Sequence, residues 1–130
     1  MSITRRATFL TPLLAVLPIA ARAASEASYT QAAFTAAQQA GKPILVAVHA
    51  SWCPTCAKQK PIIDSLAAAP ENRELVILIV DFDAQKDIVK AFDVRMQSTL
   101  IAFHGTGERA RSVGVTDPAA IKDLVARTRA

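Results

Sequence analysis

Both cysteines of this 130-residue chain fall inside Trp52-Cys53-Pro54-Thr55-Cys56, between a β-branched apolar run and a stretch of helical periodicity. That placement constrains the fold, because a strand has to end and a helix begin at a pair of thiols separated by two residues. Ile44-Leu45-Val46-Ala47-Val48, behind Pro43, shows no polar alternation and reads as a central strand buried on both faces. Its end delivers His49 to Cys53 to the carboxyl edge of a sheet. From Pro54 onward, Ala57, Ile62, Ile63, Leu66 and Ala67 mark a long helix. Pro61 is expected to kink it, since proline removes the hydrogen bond to the Ala57 carbonyl and crowds that turn.

The first 23 residues read as a secretory signal peptide. Arg5 and Arg6 form a basic start, Phe9 to Ala20 is apolar, and Ala21-Arg22-Ala23 is a small-residue cleavage site. The apolar stretch has twelve residues and two prolines, Pro12 and Pro18, whereas a membrane-spanning helix needs about twenty apolar residues. Cleavage is favoured over an uncleaved anchor, and no stable membrane insertion is expected afterwards. Paired arginines suggest a twin-arginine route, but Thr8 stands where that signal prefers an apolar residue, so ordinary secretion is favoured. The expected location is a bacterial periplasm, with residues 24–130 as one working domain.

Residues 1–23 hold three arginines and no acidic residue, so their removal takes the formal charge from +4 to +1. No basic stripe interleaved with aromatics remains, which argues against nucleic-acid binding. In an oxidising compartment two cysteines are joined unless something reduces them. A structural disulfide ordinarily closes a longer loop, because closing a very short one constrains the unfolded chain little. The close spacing therefore favours exchange chemistry over stapling.

Elsewhere, helical spacing over 28–39 with Gly41 as a stop predicts a first helix. Leu75 to Phe82 predicts a second buried strand, and a short helix is expected around Asp87 to Phe92. Thr99 to Phe103 and Ala110 to Val115 read as two strands joined by the Gly105-Thr106-Gly107 turn. Asp117-Pro118 is an N-cap with proline at the first helical position, opening a last helix to about Arg127.

Taken in order, these residues resemble the thioredoxin family over nearly the whole mature length. The resemblance is carried by Trp52-Cys53-x-x-Cys56 after a buried strand, Pro61, Asp83 and Phe92-Asp93-Val94-Arg95, then by Thr99-Leu100-Ile101-Ala102-Phe103, Gly114 and the final helix. It implies an α/β thioredoxin-like fold, a mixed central sheet of about four strands flanked by helices. Three positions depart from the family. Ser98 stands where thioredoxins carry a cis-proline facing the dithiol. The matching flanks Arg95 and Thr99 favour a cis bond before Ser98, although such a bond costs about 3–4 kcal/mol outside proline. Ala47 replaces a buried aspartate that moves protons for the inner thiol. His49 occupies a site where the family often has an aromatic, and its ring could take over that proton role.

Cys53, at the helix start, meets unpaired N–H groups and the positive end of the helix dipole, which favour thiolate. Such settings lower a thiol pKa from about 8.5 to roughly 3.5–7.5. Cys53 is expected to be the nucleophile and Cys56, on the same helix face and deeper, the resolving thiol. The supporting residues are Trp52, Pro54, Thr55, His49, Ser98 and Thr99, with Trp52 as an apolar lid and the Ser98 backbone expected to pair with an incoming chain. Asp81 and Asp83 read as a solvated strand end, and His104 as a hairpin surface residue.

The expected partners are protein disulfides or dithiols and a membrane-bound electron donor or acceptor. Cys-Pro-x-Cys resembles some periplasmic oxidases, yet the chain lacks their inserted helical domain, so reductase or isomerase-type exchange is favoured. No cofactor motif is present. An alternative is a metal- or Fe–S-binding module using Cys53, Cys56 and His49 or His104, either with copper(I) on two thiolates or with a cluster shared by two chains. A third is an interaction-only domain.

Overall fold

The structure, a computed structural model, describes residues 15–16 and 23–130. The signal-peptide reading of residues 1–23 thus lies almost wholly outside the described residues. Among those described, no helix is long and apolar enough to cross a membrane.

Among the described residues, five strands form one sheet. They are β1 (Ser25–Ser28), β2 (Pro43–His49), β3 (Val76–Asp81), β4 (Thr99–His104) and β5 (Gly107–Val113), in the spatial order β1-β3-β2-β4-β5. β1 and β2 both run parallel to β3, while β4 is antiparallel to β2 and β5 to β4. The α-helices among the described residues are α1 (Gln31–Gln39), α2 (Pro54–Ala67), α3 (Lys86–Ala91) and α4 (Pro118–Ala126). The expected sheet of about four strands gains β1. All four β1 residues are exposed and two are serines, so no apolar alternation marks them. Main-chain pairing to β3 and the Tyr29 N–H bond to Ile79 O (2.8 Å) create the strand.

The period of two along β2 divides the core. Ile44, Val46 and Val48 face one side of the sheet and pack with Phe34, Leu78, Val80, Val89, Ile101 and Phe103 under α1 and α3. Leu45 and Ala47 face the other, with Ile63, Ile77, Leu100, Ile121 and Val125 under α2 and α4. With both faces covered, β2 is buried throughout its centre, which is why its sequence is continuously apolar.

Local signals explain most boundaries. Thr30, the α1 N-cap, accepts from Ala33 N–H and sets the start at Gln31, three residues later than predicted. Gly41 follows at φ +66°. Asp117 caps α4 through Ala120 N–H (3.0 Å), with Pro118 in the first turn as predicted. α2 continues through Pro61 as a single helix to Ala67. The β4–β5 turn is shorter than predicted, so β5 begins at Gly107 and not at Ala110.

Candidate active site

β2 ends at His49 and α2 begins at Pro54, so the dithiol sits at the seam between them. Cys53 is the N-cap of α2, in extended conformation, and its sulfur accepts the Cys56 N–H at 3.1 Å. A sulfur thus takes the place of the usual capping oxygen, satisfying one of the N–H groups that a helix start leaves unpaired. Pro54 fills the first helical position, where a missing N–H costs nothing. Thr55 follows within the same turn. Cys53 and Cys56 are joined as a disulfide, Cα to Cα 5.3 Å, and both are 3% exposed.

Around the pair, Ala50 and Phe82 complete a small apolar cluster. Trp52 lies outside it, 56% exposed, with its ring edge-on to Phe82 at 6.5 Å between centroids. Its indole N–H donates to Asp83 Oδ2 at 2.7 Å. The lid reading of Trp52 therefore acquires an anchor, and Asp83 is no mere solvated strand end. Asp81 is a local structural group, its Oδ1 accepting the N–H groups of Asp83 and Ala84 at 2.9 Å each.

Ser98 corrects the sequence reading twice. No peptide bond among the described residues is cis, and Ser98 instead adopts φ +63°. For serine the trans bond is favoured by several kcal/mol, and one left-handed residue turns the loop at lower cost. Its main-chain groups are also taken within the chain. Ser98 N–H donates to Val48 O (2.8 Å), and Ser98 O accepts from Gly114 N–H (3.1 Å) and from Gln59 Nε2 (3.1 Å). One main-chain donor and two acceptor positions are all used within the chain, in place of the expected pairing of the Ser98 backbone with an incoming chain. Thr99, buried, donates its hydroxyl to Met96 O at 2.8 Å and fixes the same loop.

Gln59 is the residue that motif reading passed over. It is 3% exposed, one helical turn beyond Cys56, and its amide also donates to Val115 O at 2.9 Å. Only its burial beside the dithiol identifies it, and a glutamine in a helical pattern announces no burial.

Ala47 leaves open the space where the family carries an aspartate. A cleft of about 230 Å³ runs there, with Ala47, His49 and Cys56 in its lining and Glu26, Lys60 and Asp64 among the charged residues around it. Lys60 Nζ lies 3.1 Å from Asp64 and 4.0 Å from Glu26, and these carboxylates hold its ammonium above its ordinary pKa. His49 and Cys56 thus line one cleft, while His104 lies apart, its Nδ1 2.8 Å from Thr128 O. Among the described residues no three histidine, cysteine or acidic side chains assemble a metal-holding group. The metal or cluster alternative therefore finds no ligand set beyond the two thiols.

The thioredoxin family model matches residues 25–127. Thioredoxin from Chlamydia muridarum is 34% identical over 84 residues, which is 65% of this chain and 80% of that protein. The bifunctional thioredoxin reductase/thioredoxin of Mycobacterium leprae is 32% identical over 84 residues, 64% of this chain, but the match spans only 18% of that longer protein. Among solved structures, Trxlp from Edwardsiella tarda superposes with a TM-score of 0.76 at 44% identity, over 78% of this chain and 98% of that one. With the Cys53–Cys56 pair joined at the start of α2, the chain belongs to the thioredoxin family.

Proposed function

We propose that this protein is an exported thiol-disulfide oxidoreductase that reduces or rearranges disulfides in protein partners. The observation that carries the reading is Cys53 Sγ at the N-cap of α2, accepting the Cys56 N–H. In the reduced protein the same contact and the helix dipole favour thiolate on Cys53. That thiolate attacks one sulfur of a partner disulfide, forming the Cys53–partner bond and expelling the other partner sulfur as thiolate, which takes up a proton. Cys56 then loses its proton and attacks Cys53 Sγ. The second partner sulfur leaves, and the partner gains two electrons while Cys53 and Cys56 are oxidised to the disulfide.

His49 is the proton acceptor we assign to Cys56, because both line the cleft that Ala47 leaves open. A membrane-bound electron donor would restore the dithiol in an exported compartment. Reductase is favoured over oxidase because only the six-residue α3 separates β3 from β4, with no inserted helical domain.

An anaerobic glutathione titration of the mature domain, read by thiol alkylation and mass, tests the direction. A two-electron transition near or below about −220 mV supports a reductase, and one near about −120 mV an oxidase. The attack order has a separate test in Cys56→Ser, which should accumulate mixed disulfides on Cys53 in the exported compartment; an absence of such adducts would count against it.

A further inference from the structure

Val48 O is where the dithiol meets the Ser98 loop. It accepts the Ser98 N–H at 2.8 Å, and Cys56 Sγ lies 3.9 Å from it, close enough for the reduced thiol to donate a weak S–H bond. Ser98 sits there in a left-handed conformation that a serine does not favour by itself. Three contacts from other parts of the chain hold its main chain: Val48 O, Gly114 N–H and the Gln59 amide. Only the last comes from the helix that carries the cysteines. Gln59 uses both its amide hydrogens, one on Ser98 O and one on Val115 O, in a buried position where water cannot replace them.

We propose that Gln59 is a positioning residue for the step in which Cys56 attacks, an inference that rests on the exchange reading above. While Gln59 clamps Ser98, the Ser98 N–H draws on Val48 O and weakens that carbonyl both as a repulsive neighbour of a Cys56 thiolate and as a trap for the Cys56 proton. Without the clamp the Ser98 loop loosens, Val48 O is free to bind the Cys56 thiol, and the thiol is held away from Cys53. The bond made and the bond broken are unchanged: the Cys56–Cys53 bond forms, the partner sulfur departs with the electron pair, and the proton leaves Cys56.

Stopped-flow oxidation of the reduced protein by excess Ellman reagent separates the two steps. Attack by Cys53 gives a phase whose rate scales with reagent concentration, and closure by Cys56 gives a second phase that does not. Gln59→Met keeps the volume and removes both donors. Its first phase is expected to match the wild type and its closure phase to slow by about tenfold, a size typical of a slightly misplaced reacting group. Lys58→Ala, on the exposed side of the same turn, should leave both phases unchanged.

Unchanged closure in folded Gln59→Met would overturn the proposal, and equal slowing of both phases would reduce Gln59 to general packing. A wild type that releases one equivalent of reagent thiolate and keeps the adduct on Cys53, in place of two equivalents and a closed Cys53–Cys56 disulfide, would sink the exchange reading itself. Should Gln59→Met not fold, NMR of the wild type decides. The Ser98 amide should be equally protected from hydrogen exchange in the oxidised and reduced protein, because the clamped N–H stays on Val48 O when Cys56 becomes a thiol; protection lost on reduction would count against the clamp.

Discussion

Tyr29 is buried between Phe34 and Phe92, each 5.6 Å away by ring centroid, with its hydroxyl bonded to Gln31 Oε1. Burial pushes its phenol above the ordinary value of 10.0. The folded state therefore holds the proton more tightly than the unfolded state, and that contribution is fully present below about pH 10 and lost as the pH rises through the folded pKa. Urea titrations from pH 9 upward should show stability falling, and Tyr29→Phe should flatten that fall. The Trp52–Asp83 hydrogen bond belongs to the same scale. Trp52→Phe keeps the ring beside Phe82 but deprives the carboxylate of its donor, so slower exchange with protein disulfides is expected alongside little change in Tm. At single residues the sequence reached the two cysteines, Pro54 and Trp52, because their spacing at a strand-to-helix seam has few other uses. Gln59 and the Asp83 contact were not legible, since both depend on which parts of distant segments meet.

Elements differ in how much of their cause is local. α4 announces itself, with Asp117 as cap and Pro118 behind it. Asp117→Ala should cost about 0.5–2 kcal/mol in a denaturant melt, the usual range for a lost N-cap. β2 and β3 are equally legible because strands covered on both faces must be apolar throughout. β1 is the opposite case, an exposed edge strand held by main-chain bonds to β3, with Glu26 4.0 Å from Lys60 as a side-chain contact to α2. Shortening the chain so that it starts at Tyr29 would bare the β3 edge, and unpaired strand edges recruit other strands. Light scattering of that truncation should show concentration-dependent association absent from the longer domain. Monodisperse behaviour would mean that β3 is protected by something other than β1.

Across the whole molecule, two separate apolar layers press on one sheet, and β2 belongs to both. Leu45, fully buried on the α2 side, and Ile101, fully buried on the α1 side, should each cost about 2–5 kcal/mol on replacement by alanine, read by urea unfolding. The overall plan was legible because alternating apolar strands and helices of these lengths leave few packings, and the resemblance selected one. The Ser98 loop escaped that logic. Its conformation is decided by bonds to Val48, Gly114 and Gln59, from three different parts of the chain, and no local preference of serine points to it.

Proline fixes φ near −65° and has no N–H to give, whereas this chain holds position 98 at +63° and uses its N–H on Val48 O. A single Ser98→Pro change therefore does not restore the commoner thioredoxin loop; it deletes one bond and demands a backbone that the Gln59 and Gly114 contacts oppose. Ser98→Pro is expected to lower the Tm of this chain, and changing Gln59 as well would remove one of the contacts that oppose the proline backbone.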